Sequence, residues 1–294
     1  MRSPHNARCC EDEKARTLLT YSAQLRKMGN SASTAQLKVE RAEKTGVLSL
    51  RDAGAEKVPE KIFRLANLRV LDLAHNRLPA LPGAIGGLAQ LTQLTLDRNR
   101  LKALPDVLCR LVKLESLSAS ENQLAQLPAG IGALVKLKKL NVSKNALLFL
   151  PPSLEKCAAL QEVDVSHNQI AAFVNWAGLA SLRDLNLSYN PIPELPSTSA
   201  AGLKRLKDLD LRGLDGLEGV PVGLLRDTPL ERIELPKKLV AKDGLLVESA
   251  VGTDGLPVDV EYNKARAAYL ARRKARIDKE MHAKDRGGEI NFRG

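Results

Sequence analysis

One pattern of leucine and asparagine returns along most of the chain at a nearly constant interval. The pattern is L-x-x-L-x-L-x-x-N-x-L, and successive copies are spaced by 23 residues four times and then by 22, 24 and 24 residues. The first leucine of each copy, called the leading leucine below, stands at Leu68, Leu91, Leu114, Leu137, Leu160, Leu182, Leu206 and Leu230. A single unit of this length cannot bury its own apolar side chains. The units must therefore stack, so that neighbours complete one continuous core.

Residues inside one unit alternate as they do in a short β-strand. In the second unit, Leu94 and Leu96 are predicted to point inward, while Gln93 and Thr95 point outward. A Leu-Pro pair ends the extended segment in most units, and further leucines return the chain on the other side. The repeats therefore predict an α/β fold class, a curved leucine-rich-repeat solenoid. Its parallel strands lie on the concave face, and short helical or irregular returns lie on the convex face.

The asparagine at the ninth position of each unit is predicted to hold the turn after the strand. Its side-chain amide carries two donors and an acceptor, so it can bond backbone groups that no strand ladder reaches. Stacked units then form an asparagine ladder made of Asn76, Asn99, Asn122, Asn145, Asn168 and Asn190. Ala53 and Leu214 occupy the corresponding positions at the two ends. We therefore expect the ladder to stop there, as it would in capping units.

The repeats divide the chain into five predicted regions. The segment before them has no core periodicity, and the segment after them changes from leucine repeats to a basic, helix-like composition. The regions are a disordered leader over 1–32, a capping helix over 33–46, the solenoid over 47–240, a linker or insertion over 241–260, and a basic C-terminal helix and tail over 261–294.

Net charge and aromatic content bear on the partner class. The chain has a net charge of +11, which suggests a polyanion as a partner. Aromatic residues, however, make up only 3% of the chain. Base-stacking platforms are therefore missing, and nucleic acid is not the favoured partner. Residues 261–294 hold ten Lys/Arg against five Asp/Glu. This tail is interpreted as a solvated helix, with a polyanion contact as the alternative.

The cysteines and the hydropathy indicate the compartment. Cys109 and Cys157 lie two units apart on the convex side, too far to bridge, and no cysteine cluster marks either cap of the solenoid. The sequence has no apolar signal region and no run of about 18 apolar residues. A cytoplasmic location and a monomer are therefore predicted.

Residues that could support catalysis are scattered. His75 and His167 share one column of the repeat but stand four units apart, so they cannot share a zinc ion. The sequence contains neither a phosphate-binding glycine loop nor an H-E-x-x-H motif. We therefore predict that the protein is not an enzyme, with no catalytic residues, no metal site and no cofactor.

Met28-Gly29-Asn30-Ser31-Ala32-Ser33 matches the N-myristoylation signal. Acylation requires Gly29 to become the terminal residue, and it is internal in this chain. Two readings stay open: residues 1–27 are a genuine extension and the match is accidental, or translation starts at Met28. A single acyl chain gives only marginal membrane binding, so a second contact with the inner leaflet would be needed.

From Met28 onward, the chain resembles the family of leucine-rich repeat-containing protein 57. The resemblance rests on segments before the repeats and on the repeats themselves, with Tyr262 at its far end; the segments are Met28–Ser31, Lys44–Val47, Leu50–Asp52 and Val58–Pro59. The 23-residue units are also similar to those of intracellular Ras-group-related repeat proteins. This resemblance implies a cytosolic scaffold without enzymatic activity and favours initiation at Met28.

A partner site is predicted on the concave face. The third and fifth positions of each unit face that side, and the fifth to seventh units place carboxylates there. These are Glu162, Asp164, Asp184, Asp208 and Asp210. Their crowding favours a basic segment of another protein, with Tyr189 as a neighbouring anchor. Two alternatives stay open: the acids only keep the face soluble, or Arg272–Arg276 folds back over them.

The sequence thus predicts a cytoplasmic protein-protein interaction scaffold that uses its concave face. Association with a membrane through N-myristoylation at Gly29 is expected if translation starts at Met28. The alternative is a soluble adaptor whose basic C-terminal tail contacts RNA or another polyanion.

Overall fold

Nine short strands form one open parallel sheet. The computed structural model describes residues 32–172, 176, 178–195, 202–239, 251–252, 271–272 and 274–275. The strands are β1 Val47–Ser49, β2 Val70–Asp72, β3 Gln93–Thr95, β4 Ser116–Ser118, β5 Lys139–Asn141, β6 Glu162–Asp164, β7 Asp184–Asn186, β8 Asp208–Asp210 and β10 Arg232–Glu234. They pair in sequence order from β1 to β8, and β10 completes the sheet beside β8. Each strand belongs to one coil of a solenoid, and the return to the next strand completes that coil. The predicted fold class is therefore confirmed.

The core is a continuous spine of leucines shared by successive coils. The middle residue of each strand points inward, as Leu94 and Leu117 show with 1% exposure each. The flanking strand residues point outward, which confirms the period-two alternation. Neighbouring strands pair without a register shift, so Leu94 stands directly beside Leu117. Burial of about 25 cal/mol per Å² of apolar surface along this spine is the main source of stability.

The returns on the convex side are short 3₁₀ helices. Most begin directly after a proline, because its ring fixes φ and removes a backbone donor. Glu60–Arg64 follows Val58-Pro59 instead of a Leu-Pro pair, and Ile131–Ala133 begins three residues after Pro128. Pro105, for example, is extended with φ −70° and ψ 143°, and Leu108 in the following turn is fully buried. Among the described residues, such helices span Glu60–Arg64, Gly83–Gly87, Asp106–Arg110, Ile131–Ala133 and Pro152–Lys156, and another, Lys237–Leu239, follows the last strand of the sheet.

The predicted asparagine ladder is present, with the same hydrogen bonds in each of its six coils. Asn168 is 8% exposed, and its Oδ1 accepts the amide N–H of Leu147 at 3.0 Å. Its Nδ2 lies 2.9–3.1 Å from three carbonyl oxygens, those of Val142, Val165 and Ser166. One side chain therefore joins the turn of its own coil to two points on the preceding coil.

The residue before each ladder asparagine takes a left-handed conformation. His167 and Tyr189 have φ of 53° and 56°, and Gly213 continues the column at 68°. The earlier members of the column are Asp52, His75, Arg98, Glu121 and Lys144. A left-handed residue costs about 1 kcal/mol or more unless it is glycine. The ladder asparagine stabilises this bend, so the column tolerates almost any side chain.

Helix α1, Ala32–Thr45, covers the first strand. It begins one residue before the predicted start at 33 and ends one before 46. Ala42 is fully buried against the core, and Gly46 ends the helix with φ of 71°. The Asn67 amide donates to the carbonyl of Glu43, which ties the helix to the return of the first coil. The predicted leader over 1–32 lies outside the described residues except for its last residue.

The C-terminal end of the solenoid is closed by other segments. Strand β9, Val220–Pro221, precedes helix α2, Val222–Arg226, and pairs in parallel with β11, Val251–Gly252. The side chain of Arg272 donates to the carbonyl oxygens of Leu230 at 2.5 Å and Leu225 at 2.8 Å. The rest of the predicted linker over 241–260, and most of the tail over 261–294, lie outside the described residues.

We predict that Asn168→Ala lowers the free energy of unfolding by about 2–4 kcal/mol, because it leaves several buried backbone groups without their partner. Chemical denaturation followed by circular dichroism would measure the change. Gln169→Ala is the matched control, since Gln169 is the exposed neighbour, and it should cost less than about 0.5 kcal/mol. Equal effects of the two variants would contradict the role given to the ladder.

Candidate protein-interaction site

The concave face of the sheet contains a recess of about 650 Å³. Outward-facing side chains of β4 to β8 and of β10 line it, and the residues that carry its charge follow. They are Lys139, Glu162, Asp164, Asp184, Asp208, Asp210, Arg232 and Glu234. Six of these are acids and two are bases, which gives the lining four net negative charges. We call this site the acidic recess.

The register of the strands arranges the acids in two rows. In one row Glu162 stands beside Asp184, and Asp184 beside Asp208. In the other row Asp164 and Asp210 flank Asn186. Adjacent strands lie about 4.8 Å apart. The structure therefore brings all five predicted acids together, and the first row is the more crowded because no neutral residue separates its members.

Ion pairs reduce the charge at the rims of the recess. Lys139 Nζ lies 2.7 Å from Glu162 Oε1, and the guanidinium of Arg232 lies 2.9 Å from Glu234. Arg212 Nη2 lies 2.5 Å from an Asp210 carboxylate oxygen. These pairs were not predicted from the sequence. They leave the strongest negative field at the centre, around Asp164, Asp184 and Asp208.

Asp184 is the acid whose titration is most altered by the recess. Partial burial raises its pKa above the ordinary carboxyl value, and a hydrogen bond with Asp208 raises it further. The charges of Asp208 and Glu162 act in the same direction, opposed by Arg183. The recess thus contains a carboxyl pair that disfavours the fully ionised state when no cation is bound.

Tyr189, the predicted anchor, lies on a ridge beside the recess and not in its lining. Its ring stacks on that of His167, with centroids 4.2 Å apart and planes inclined by 11°. The other neighbour is Gly213, where an added Cβ would come within 2.4 Å of Tyr189 Cδ1. Tyr189 is still 49% exposed. The sequence predicted Tyr189 as an anchor but gave no sign of the glycine that makes room for its ring.

Other members of the same ridge are joined by ion pairs. His75 Nδ1 lies 3.1 Å from Asp52, and Glu121 lies 3.1 Å from Arg98 and 3.2 Å from Lys144. The hydrogen bond from Lys144 lowers the pKa of Glu121. The ridge is therefore held by contacts between successive coils along its length.

Arg272 does not fold over the acids. It donates to backbone carbonyls at the end of the solenoid and is not among the residues lining the recess. The alternative that Arg272–Arg276 folds back over the acids stays a prediction, because only part of that segment lies among the described residues. The predicted lipidation residue, Gly29, lies outside the described residues, as do Arg273 and Arg276.

The buried thiol of Cys157 has a strongly altered pKa. Burial raises the pKa of Cys157 to about 11, with a smaller contribution from Cys109, so this thiol stays protonated at neutral pH. In the same part of the chain, no three His, Cys, Asp or Glu residues are grouped so as to hold a metal ion. None of the helices described has the length and apolarity needed to cross a bilayer.

Comparison with known families agrees with this architecture. The model of the leucine-rich repeat region matches residues 44–212, more than half of the chain. The chain belongs to the leucine-rich-repeat family. A search of the curated proteins found no match.

Solved structures of other leucine-rich-repeat proteins have the same fold. A leucine-rich-repeat protein of Leptospira interrogans is 28% identical with a TM-score of 0.52, over 64% of this chain and 53% of that one. The second structure is the ectodomain of the receptor kinase GASSHO1/SCHENGEN3 from Arabidopsis thaliana in complex with Casparian strip integrity factor 2. It is 27% identical with a TM-score of 0.53, over 66% of this chain and 28% of that one. PEPR1, in its complex with AtPEP1, is 28% identical with a TM-score of 0.59, over 65% of this chain and 28% of that one. The chain thus spans about half of the first protein and a smaller part of the other two.

We predict that Asp184→Asn raises the melting temperature at neutral pH. A folded-state pKa above the unfolded value stabilises the protein only where the group is protonated, and that stability is lost as the pH rises. The melting temperature of the variant should therefore be higher than that of the wild type above about pH 4, and the difference between the two melting temperatures should shrink at lower pH. Asp164→Asn is the control, because Asp164 stands between Asn141 and Asn186. A gain that is equal for both variants at all pH values would contradict the carboxyl pair.

We predict that Gly213→Ala destabilises the protein more than Gly54→Ala does. Both glycines have positive φ, 68° and 64°, and share the backbone cost of about 1 kcal/mol. Only Gly213 is covered by the Tyr189 ring, since nothing lies within 4 Å of a Cβ at Gly54. Thermal unfolding would measure the difference, and Tyr189→Ala should remove it. A difference that persists without Tyr189 would show that the ring is not its cause.

Proposed function

We propose that this leucine-rich-repeat protein is a non-enzymatic interaction scaffold whose acidic recess binds a basic segment of another protein. The observation that carries the proposal is the net negative charge of a concave recess lined by outward-facing strand side chains. A preformed concave surface binds without large rearrangement. Clustered carboxylates are disfavoured when empty, so a cationic ligand relieves their repulsion on binding.

The dimensions of the recess suit an extended peptide. Its lining crosses six strands, from β4 to β10. Five steps of about 4.8 Å give a length of about 24 Å, which corresponds to roughly seven residues of extended chain. Lysine or arginine side chains spaced along such a segment would reach Asp164, Asp184 and Asp208. The GASSHO1/SCHENGEN3 ectodomain and PEPR1, which are similar to this chain, are in complexes with Casparian strip integrity factor 2 and AtPEP1, and this supports the use of the solenoid for recognition.

The rim of the recess adds specificity to this charge complementarity. Lys139 on β5 and Arg232 on β10 flank the acids, so a basic ligand is confined between them. Tyr189 lies on the neighbouring ridge with its ring already held by His167. An aromatic side chain fixed before binding contributes contact area at low entropic cost. We therefore assign the role of a peripheral anchor to Tyr189.

Location and lipidation extend the proposal to the cell. We place the protein in the cytoplasm as a monomer, with acylation of Gly29 when Met28 is the start, on the basis of the Met28–Ser33 motif and the resemblance to the family of leucine-rich repeat-containing protein 57. Intact-mass measurement of the endogenous protein tests this part. A mass that begins at Met28 without its methionine and carries a myristoyl group supports it, and a chain beginning at Met1 contradicts it.

We predict that Asp164→Asn combined with Asp208→Asn weakens binding of a short lysine-rich peptide by about threefold to thirtyfold. The estimate assumes two exposed ion pairs of up to about 1 kcal/mol each. Fluorescence anisotropy of the labelled peptide would measure the affinity at low and at physiological salt. Both substitutions preserve side-chain shape, so thermal unfolding should show that the fold is retained.

The matched control removes the same charge elsewhere. Asp106→Asn combined with Glu155→Gln alters two exposed acids on the convex returns. This variant should bind the peptide like the wild type. If both double variants lose affinity equally, the peptide senses only total charge, and the acidic recess is not the site.

A further inference from the structure

One lateral edge of the solenoid, where the chain enters the strands, is strongly basic. The edge consists of the residues two before, one before and one after each leading leucine, which we call the basic edge. It contains eight lysines and arginines: Arg69, Lys113, Lys136, Lys138, Arg183, Lys204, Arg205 and Lys207. The same positions contain only two acids, Glu115 and Glu231. The basic edge therefore carries six net positive charges.

Contacts between coils show that the basic edge is one continuous surface. Lys113 Nζ lies 2.6 Å from the amide oxygen of Gln90, one coil earlier in the same column. Backbone hydrogen bonds also follow this edge, for example from Glu115 N to Thr92 O and from Lys138 N to Glu115 O, both 2.8 Å. Cations in adjacent coils are therefore about 4.8 Å apart, and the spacing is about twice that across the coils of Leu91 and Leu160, whose edge positions hold no cation.

Six of the eight cations of the basic edge lie outside the ion pairs of the described residues, although the charge of Arg183 acts on Asp184. Lys138 pairs with Glu115 and Lys207 with Glu231, each at 2.7 Å. The other six cations form no ion pair with any described acid, and all six are exposed. Like charges this close repel one another within the Debye length of about 8–10 Å. Binding of a polyanion to the edge would therefore relieve this repulsion.

Two large apolar side chains stand among these cations. Val112 is 50% exposed and Val135 is 56% exposed, and they are neighbours in successive coils. Each directly precedes a lysine of the basic edge, Lys113 or Lys136. Exposed apolar side chains are unfavourable in water, and the free energy falls when they enter a bilayer interface.

We propose that the basic edge docks the folded solenoid onto a membrane surface that carries anionic lipids. Lysine and arginine side chains contact the headgroups, while Val112 and Val135 enter the interfacial layer. A nucleic acid fits this surface less well, because the edge contains no aromatic residue for base stacking and gives the valines nothing to bury against.

The docked orientation leaves the acidic recess available. The edge lies at the N-terminal ends of the strands, whereas the recess lies on their concave face. An anionic membrane repels the recess and attracts the edge, which fixes one orientation. The inference thus goes beyond the proposed protein binding, and it does not depend on acylation of Gly29.

Vesicle co-sedimentation of the full chain, in which Gly29 is internal, tests the proposal. Vesicles of phosphatidylcholine with phosphatidylserine should retain the protein, and vesicles of phosphatidylcholine alone should not. Lys113→Glu combined with Lys136→Glu should weaken retention by about thirtyfold or more, given the contribution expected of each basic residue at an anionic surface. Val112→Ser combined with Val135→Ser should weaken it by roughly threefold to tenfold.

Arg77→Glu combined with Arg100→Glu is the matched control. These arginines follow the ladder asparagines at the opposite edge, in adjacent coils, and both are exposed. The control changes the net charge by the same amount and should leave retention nearly unchanged. An equal loss in both charge-reversal variants would overturn the proposal, because total charge alone would then account for the binding.

Two further measurements separate the alternatives. Binding of the lysine-rich peptide should be retained in the Lys113/Lys136 variant, so failure of the edge and failure of the recess are distinguishable. Binding to a single-stranded oligonucleotide is measured in parallel. If the edge variants lose oligonucleotide binding while vesicle retention is unaffected, the surface is a nucleic-acid site and the membrane proposal is wrong.

Discussion

The asparagine ladder of the six central coils is the interaction on which the rest of the structure depends. Leucine burial drives the coils together, but it does not specify which coil edges meet. The asparagine does, because its acceptor and donors join backbone groups of two successive coils at fixed distances, as Asn168 does for Leu147 and Val142. The flat register of the strands follows from this repeat. Everything that faces outward is then arranged in straight columns.

Those columns determine the surface chemistry. A column consists of the residues at one repeat position in successive coils. Charged residues that are spread over more than 100 residues of sequence therefore form a compact patch. Acids gather on the concave face between β6 and β8, and cations gather on the edge that precedes the strands. The two patches lie side by side but face different directions. The same molecule therefore presents two surfaces of opposite sign to two different kinds of partner.

The sequence predicted the coils, the ladder and the acids of the recess because these features obey fixed periods. Asp184 and Asp208 could be placed as neighbours once the period was known. The ion pair of Arg212 with Asp210 could not, since it depends on side-chain rotamers in the irregular segment after the strand. The space for Tyr189 depends on Gly213, one coil away. The basic edge was missed because the net charge was assigned to the tail and because its members are separated by whole repeats.

The central claim is that the concave acids form a single binding surface for a basic segment. Hydrogen–deuterium exchange of the full chain, with and without a saturating lysine-rich peptide, tests it most directly. The account predicts that slowed exchange is confined to the strands and adjoining turns from β5 to β10. Slowed exchange on the convex returns, or none at these strands despite measurable binding, would contradict it.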